Sequence, residues 1–174
     1  MPRPSNLTVN VVFAGLGGQG VLKASDILAD AAFAAGFDVK KSELHGMSQR
    51  GGSVASDVRY GHHVLSPMIP DGAADYLVVL TPDQVDTNRD RLSSGGVLLV
   101  ADIIDESALA SKKAINVAMV GALSRCLADI DGAAIPDDAW EIAVRANLPE
   151  RFHDMNLDAF RIGRESADKN RNAQ

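Results

Sequence analysis

Apolar residues follow first a strand-like and then a helix-like spacing in the N-terminal third of the chain. The run VNVVFA ends just before Gly15 and predicts a buried strand. Apolar residues then recur at helical spacing over residues 21–35, and Gly36 is a typical helix-ending residue. FDVKK (37–41) predicts a second strand, so this part is expected to form a right-handed, parallel βαβ unit. The polar residues 42–52 are expected to form a loop.

The next part of the chain predicts a β-hairpin. SVASDVRYG (53–61) alternates between apolar and polar residues, as a half-buried strand does. HHVLSPMIP (62–70) is expected to pair with it antiparallel through a turn centred on Gly61. Such a hairpin would give the sheet a mixed rather than a purely parallel character.

Two apolar runs and several helical stripes complete the predicted fold. DYLVVL (75–80) and GGVLLVAD (95–102) are typical of strands buried on both faces, and Pro82 suits the first turn of a helix between them. Further helices are predicted within residues 111–131, 137–148 and 156–167, and the polar tail from about residue 167 is expected to fray. The pattern predicts a single α/β domain over residues 1–174, with a three-layer Rossmann-like fold and a mostly parallel, mixed sheet.

The composition indicates a globular protein and argues against nucleic acid and membranes as its partners. Hydrophobic residues make up 46% of the chain, and the formal net charge is −6. An acidic chain is a poor match for the phosphate backbone of nucleic acids. No stretch approaches the roughly 20 apolar residues of a membrane span, and MPRPSN does not resemble the start of a signal peptide. We therefore expect a cytoplasmic protein that binds neither nucleic acid nor membranes.

The cysteine and histidine content predicts no metal site in this chain. Cys126 is the only cysteine and lies on an apolar helical stripe, which favours a place in the core. An iron–sulfur cluster is typically held by about four thiolates, so this chain alone is not expected to bind one. The four histidines include no pair at the i, i+4 spacing of a helical metal site.

The stretch GLGGQG lies between a predicted strand and a predicted helix and fits the pattern G-x-G-x-x-G. The first glycine allows a tight turn, the second lets the backbone approach a phosphate, and the third lets helix and strand pack closely. Free amides at the start of the helix favour an anion. The other interpretation is a turn whose glycines only close the connection. The candidate anion-binding residues are Gly15, Gly17, Gly18, Gln19 and Gly20.

The fingerprint for NAD is incomplete. NAD-binding folds place an acidic residue at the end of the second strand, whereas this strand ends with Lys40 and Lys41 and Glu43 follows in the loop. The lysines are poor partners for a ribose diol but could meet an additional phosphate. No His–Asp or Tyr–Lys pair stands out as a dehydrogenase site. An NAD(P)-dependent dehydrogenase and a non-enzymatic nucleotide-binding or assembly module remain alternatives.

ELHGMSQRGGS (43–53) follows the second strand, where open α/β sheets place ligand-binding loops. The pair Gly51 and Gly52 lets the backbone approach a ligand or another chain closely. Arg50 offers a planar fork to a carboxylate or phosphate, and His45 could transfer a proton. The alternative is an ordinary turn in which Arg50 pairs with Glu43.

These two glycine-bearing motifs together resemble the gamma-type subunits of the 2-oxoacid:ferredoxin oxidoreductases. The form HGMSQRGG is more similar to the beta subunit of indolepyruvate oxidoreductases than to the pyruvate and 2-oxoglutarate enzymes, which tend to carry Y-G-P-E before R-G-G. The resemblance continues through DYLVVLTPDQ, SSGGVLLV and NVAMVGAL to the late motif N-x-x-A-F-x-x-G at residues 156–163.

The resemblance implies a subunit, inactive alone, of an enzyme that converts a 2-oxoacid and coenzyme A to acyl-CoA and CO2. The substrate implied is indolepyruvate or another aryl pyruvate, and ferredoxin accepts the electrons. Thiamine diphosphate, Mg²⁺ and [4Fe–4S] clusters are implied on partner subunits. The turn at residues 15–20 is implied to bind coenzyme A phosphates or contact the partner. The implied loop residues facing the active site or partner are Glu43, His45, Met47, Arg50, Gly51 and Gly52.

Overall fold

The computed structural model describes residues 7–45 and 51–173, which form one five-stranded sheet and five α-helices joined by short 3-10 turns. The strands are β1 (Thr8–Leu16), β2 (Asp38–His45), β3 (Ser53–Gly61), β4 (Ala74–Val79) and β5 (Leu92–Val100). The helices are α1 (Val21–Ala34), α2 (Val85–Asn88), α3 (Ile115–Leu127), α4 (Asp137–Asn147) and α5 (His153–Asn172).

The sheet has the strand order β2-β3-β1-β4-β5. β3 pairs antiparallel with both β1 and β2, whereas β4 pairs parallel with β1 and with β5. The prediction of a mixed sheet is therefore confirmed, with β3 running against the other four strands. β1 and β2 run in the same direction, as expected for the βαβ unit, but β3 lies between them.

The predicted hairpin partner of β3 is wrong, because residues 62–70 form no strand. Both sides of β3 are already occupied by β1 and β2, and the two prolines of the segment donate no N–H. Its backbone amides bond instead to side chains of the sheet. Val64 N–H donates to Asp38 Oδ2 at 2.8 Å, and Ile69 N–H donates to Asp57 Oδ2 at 3.0 Å.

The two faces of the sheet are covered unequally. The main core joins α1, α3, α4 and α5 to one face, where Val11, Phe13 and Val58 are fully buried. A smaller core on the other face joins β1 and β4 to residues 62–73 and to the start of α2. Full burial of a side chain such as valine or phenylalanine contributes about 1.5–3 kcal/mol. Because the larger core contains the four long helices, they stabilise the sheet mainly from one face.

The end of α1, where the chain turns towards β2, follows local chemistry. α1 ends as predicted, because Gly36 adopts the left-handed conformation, with φ 89°. Gly36 N–H donates to Phe33 O at 2.9 Å, and Phe37 N–H donates to Ala32 O at 3.1 Å. These two bonds satisfy carbonyls that the last helical turn leaves free.

The strand predicted over residues 95–102 is shifted and more exposed than expected. β5 begins at Leu92 and ends at Val100, and Val97 is 40% exposed. The apolar run predicted a strand covered on both faces, but β5 is an edge strand with β4 as its neighbour. Residues 101–103 form a 3-10 turn rather than the end of the strand.

α5 is longer than predicted and packs closely on α3. The tail that was expected to fray continues the helix through Asn172, where Arg125 Nε donates to Asp168 Oδ1 at 2.7 Å and Arg171 pairs with Asp129 at 2.7 Å. These ion pairs between α5 and the end of α3 could not be read from helical spacing alone.

Candidate functional site

The two glycine motifs meet at one edge of the sheet, because β3 begins where its antiparallel neighbour β1 ends. Leu16 lies opposite Ser53 in the register. Gly17 N–H donates to Gly52 C=O at 2.9 Å. We call residues 15–20 together with Gly51 and Gly52 the glycine junction. The sequence identified both motifs but could not show that they touch.

Gly17 lets the turn pack closely against the backbone at Gly51 and Gly52. A Cβ at this position would lie 3.3 Å from Gly51 N, tighter than most real contacts. The second glycine of the motif therefore accommodates this chain's own backbone, where the sequence predicted a phosphate. Gly18 and Gly51 are left-handed, with φ 88° and 68°, and a Cβ at either would meet nothing within 4 Å of the described residues. Among the described residues, nothing covers the backbone of the junction at these two positions.

Gln19 closes the turn with its own side chain. Its Oε1 accepts a hydrogen bond from Leu16 N–H at 2.8 Å, and its N–H donates to Leu16 O at 3.1 Å. A Cβ at Gly15 would lie 2.8 Å from this Oε1. Gln19 and Gly15 therefore shape the turn, and the amide oxygen of Gln19 is already used.

The start of α1 faces the start of α3 across a cavity of about 470 Å³. Gly20 is the N-cap of α1, with φ 81° and no capping side chain among the described residues. A Cβ there would collide with the side chain of Asn116, whose Nδ2 donates to Gly20 O at 3.3 Å. We call this space the glycine cavity. Its lining residues are Gly18, Gln19, Gly20, Lys112, Lys113, Ile115 and Asn116.

Lys112 and Lys113 are site residues that the sequence analysis missed. Lys113 forms no salt bridge within residues 7–45 and 51–173, and Lys112 Nζ lies 3.4 Å from Glu106 Oε2 in an exposed pair. Exposed pairs of this kind contribute little, about 0–1 kcal/mol. The ammonium groups and the uncapped amides of α1 make this cavity suitable for a phosphate.

A signal for these lysines was present in the sequence. Ser111 caps the turn before α3 by accepting from Lys113 N–H at 3.3 Å. Cations at the start of a helix oppose its dipole, so Lys112 and Lys113 are unfavourable there for the helix itself. Basic residues directly after an N-cap therefore indicate a role other than helix formation.

Glu43 and His45 lie on a strand, and their prediction as loop residues is corrected. β2 continues to His45, with Glu43 opposite Ser56 and His45 opposite Val54 on β3. His45 Nε2 lies 3.6 Å from Glu43 Oε2, close to the edge that carries the glycine junction. Pairing with β3 extends the strand beyond the point that apolar spacing predicted.

Glu43 and Lys41 form an ion-pair chain with α1. Lys41 Nζ lies 2.7 Å from Glu43 Oε1 and 2.6 Å from Asp26 Oδ1. The hydrogen bond from Lys41 holds the pKa of the Glu43 carboxyl below its usual value. Burial acts to lower the pKa of Lys41, but its hydrogen bonds to Asp26 and Glu43 outweigh this and raise it. Both groups are therefore charged at neutral pH, and Glu43 is a poor general base.

The lysines considered for an additional phosphate do not converge. Lys40 and Lys41 point to opposite faces of the sheet, as successive strand residues do. Lys40 Nζ pairs with Asp38 Oδ1 at 2.7 Å, while Lys41 is held by Asp26 and Glu43. Each ammonium thus has a carboxylate partner already.

Two of the predicted site residues, Met47 and Arg50, lie outside the described residues, so their roles stay predictions. The other loop residues lie at one edge of the sheet: Gly51 and Gly52 in the glycine junction, and Glu43 and His45 at the end of β2.

Within the described ranges, no group of three or more His, Cys, Asp or Glu side chains is placed to hold a metal ion. Cys126 is half-buried against the main core, and this burial raises the pKa of its thiol. A raised pKa disfavours the thiolate that binds metals. No helix of the described part combines the length and apolarity required to cross a bilayer.

The fold is shared with a known oxidoreductase subunit. The gamma subunit of a keto/oxoacid ferredoxin oxidoreductase from Geobacter sulfurreducens superposes with a TM-score of 0.73 at 30% identity, covering 91% of this chain and 98% of that one. Residues 10–107 match the family described as pyruvate ferredoxin/flavodoxin oxidoreductase. The chain belongs to this family, and the resemblance inferred from its motifs is confirmed.

Two further proteins are similar to this chain in sequence or in fold. Indolepyruvate oxidoreductase subunit IorB of Pyrococcus horikoshii is 30% identical, covering 91% of this chain and 95% of its own length. A 2-oxoglutarate:ferredoxin oxidoreductase from Magnetococcus marinus, solved with 2-oxoglutarate, coenzyme A and succinyl-CoA bound, has the same fold, with a TM-score of 0.76 at 18% identity. That match covers 94% of this chain and 32% of the larger one.

Proposed function

We propose that this chain, as one domain over residues 1–174, is the non-thiamine subunit of an oxidoreductase that acts on indolepyruvate or another aryl pyruvate. The complete enzyme converts the 2-oxoacid and coenzyme A to acyl-CoA and CO2 and transfers two electrons to ferredoxin. The similarity to an indolepyruvate oxidoreductase subunit supports the aryl substrate.

The glycine cavity is the site that we propose for phosphates of coenzyme A. The observation that carries this proposal is the meeting of the uncapped start of α1 with Lys112 and Lys113. Coenzyme A is a polyanion, and none of the residues that line this cavity is acidic. Gly18 offers backbone without a side chain, while Gln19 keeps the turn closed. The bound coenzyme A in the Magnetococcus marinus enzyme supports this choice of ligand.

The partners in the proposal supply what this chain lacks. Thiamine diphosphate, Mg²⁺ and [4Fe–4S] clusters are assigned to partner subunits, in keeping with the single cysteine here. We assign Glu43 and His45, at the end of β2, to the surface that faces the partner's active site, and we assign Met47 and Arg50 to the same surface from the resemblance of their motif. The proposed place of the assembled enzyme is the cytoplasm, where it meets ferredoxin and coenzyme A.

The dehydrogenase alternative gains no support from the sheet. Dinucleotide-binding folds place the ribose beside an acidic residue at the end of the parallel strand next to the first. Here the neighbour of β1 on that side is the antiparallel β3. Lys40 and Lys41 on β2 lie one strand further away.

Reconstitution tests the proposed function. The purified chain alone is expected to show no turnover, whereas the chain co-expressed with its thiamine-binding partner should reduce ferredoxin when indolepyruvate and coenzyme A are both present. Formation of the acyl-CoA is measured in parallel by chromatography. Pyruvate and 2-oxoglutarate serve as comparison substrates and are expected to react more slowly. Turnover of the isolated chain with NAD(P) would contradict the proposal. Ferredoxin reduction at the same rate with and without coenzyme A would contradict it as well.

A further inference from the structure

A buried side-chain amide joins the starts of the two helices that border the glycine cavity. Asn116 lies in the first turn of α3 and is only 7% exposed. Its Nδ2 donates to the carbonyl oxygen of Gly20, the N-cap of α1, at 3.3 Å. Both residues line the glycine cavity, so this hydrogen bond lies in the wall of the site that we propose for coenzyme A phosphates.

Neither helix needs this hydrogen bond to satisfy its own backbone. Gly20 O already accepts from Ala24 N–H at 3.0 Å, which is the first hydrogen bond of α1. The start of a helix has free N–H groups and needs acceptors, whereas Asn116 in α3 contributes a donor to another helix. The consequence of the bond is therefore geometric, because it fixes the start of α1 relative to the start of α3.

The last glycine of GLGGQG makes room for this amide. The sequence predicted that this glycine lets helix and strand pack closely. In the structure, the three heavy atoms nearest to a Cβ built on Gly20 all belong to Asn116, and the Cβ would collide with its Nδ2. Gly20 and Asn116 therefore depend on each other, although they lie far apart in the sequence.

The turn that carries Asn116 is held firmly in the main core. Ala114, Val117 and Ala118 on either side of it are at most 2% exposed. Lys112 and Lys113 directly precede this turn and form a 3-10 turn with Ala114. The contact between Asn116 and Gly20 therefore sets the separation between the two lysines and the start of α1.

The same contact orients a free amide of α1. Because a peptide unit is planar, fixing the carbonyl of Gly20 also fixes the N–H of Val21, which points in the opposite direction. This N–H precedes the first hydrogen bond of the helix and has no acceptor within it. Such amides bind anions well only when their direction is maintained.

We propose that Asn116 is a positioning residue for coenzyme A, which holds the amides of α1 and the lysines before α3 at the spacing that a phosphate group spans. This inference rests on the proposed function, because the phosphate is that of coenzyme A at the glycine cavity. Asn116 acts through Gly20. Loss of its donor leaves every phosphate-binding group present but removes their fixed spacing, which weakens each charge-assisted hydrogen bond.

Asn116→Leu in the reconstituted complex tests the proposal, because leucine is similar in size and donates no hydrogen bond. We expect the KM for coenzyme A to rise about fivefold, the effect of one neutral hydrogen bond. The value of kcat and the KM for indolepyruvate should stay within a factor of two, and the urea midpoint of the variant shows that it is folded. An unchanged KM for coenzyme A, or an equal rise in both KM values, would overturn the positioning role.

Asn156→Leu is the matched control. Asn156 is 5% exposed, and its Nδ2 donates to a backbone carbonyl, that of Phe152, at 3.0 Å, but it does not line the glycine cavity. Its replacement should leave the KM for coenzyme A as it is. An equal rise in this control would mean that loss of any buried amide nearby has the same effect, and Asn116 would then have no particular role.

The double variant Lys112→Gln/Lys113→Gln separates this inference from the proposed function. If this variant raises the KM for coenzyme A and Asn116→Leu does not, the phosphate site stands and the role of Asn116 is refuted. If the lysine variant leaves the KM unchanged, the phosphate site itself is refuted, and the inference with it.

Asn116→Asp adds a test that keeps the shape of the side chain. The ionised carboxylate at pH 8 cannot donate to Gly20 O, so we expect the KM for coenzyme A to rise at least as much as in Asn116→Leu. A protonated carboxyl can donate again, so the ratio of this KM to that of the parent should fall as the pH is lowered towards 5.5. A ratio of one at pH 8, or a raised ratio that does not depend on pH, would count against the hydrogen bond.

Discussion

Replacing Gly163 with alanine is expected to lower the free energy of unfolding by about 3 kcal/mol. Gly163 lies where α5 crosses α3, and a Cβ there would overlap the carbonyl oxygen of Ala118. That contact is backbone on a buried helix, so relief requires the two helices to separate. Urea unfolding followed by circular dichroism measures the loss.

Gly95→Ala is the matched control for this substitution. Gly95 lies on the edge strand β5 with an ordinary backbone conformation, and a Cβ there would meet nothing within 4 Å of the described residues. Its effect should stay within about 0.5 kcal/mol. Equal stabilities of the two variants would mean that α3 and α5 are not as close as the glycines indicate.

Replacing Asp57 with alanine is expected to cost about 3–5 kcal/mol, because it leaves a buried cation without its partner. Asp57 is 2% exposed, and its Oδ1 and Oδ2 accept from Arg91 Nη2 at 2.9 and 2.8 Å. It also accepts from Ile69 N–H, which holds residues 62–73 over the sheet. The variant should therefore lose both the ion pair and part of the smaller core, measured by urea unfolding at neutral pH.

A second acidic partner of Arg91 supplies the control. Asp71 Oδ1 lies 3.2 Å from Arg91 Nε, close enough for an ion pair but not aligned as a hydrogen bond, and its side chain is 82% exposed. Asp71→Ala should cost no more than about 0.5 kcal/mol. The double variant Asp57→Ala/Arg91→Met should recover part of the loss, since no unpaired charge remains buried. If Asp57→Ala were as mild as Asp71→Ala, the buried pair would not hold the segment.

The parts of the fold that follow local chemistry were predictable from the sequence. The apolar run of β1, the glycine turn and the helix ended by Gly36 all depend on residues close together in the chain. The resemblance to gamma-type subunits rested on the same local motifs. The meeting of Gly17 with Gly52 was not predictable, because it requires β3 to pair antiparallel with β1.

The errors arose where distant contacts decide the structure. Residues 62–70 looked like a strand, but Asp38 and Asp57 bind their amides from the sheet. β2 extends to His45 because β3 offers it a partner, which apolar spacing cannot show. The sequence did not link Lys112 and Lys113 to the glycine turn, because the two segments are far apart in the chain. They meet only because the chain after β5 crosses back to that turn.

The most direct test of the central claim is the KM for coenzyme A in the reconstituted complex that carries Lys112→Gln/Lys113→Gln. Each lysine is expected to bind phosphate in the ground state and the transition state alike, so KM should rise about 30-fold with kcat nearly unchanged. Lys169→Gln, an exposed change near the end of α5, should leave both constants as they are. A KM for coenzyme A that is unaltered in the double variant would contradict the assignment of the glycine cavity to its phosphates.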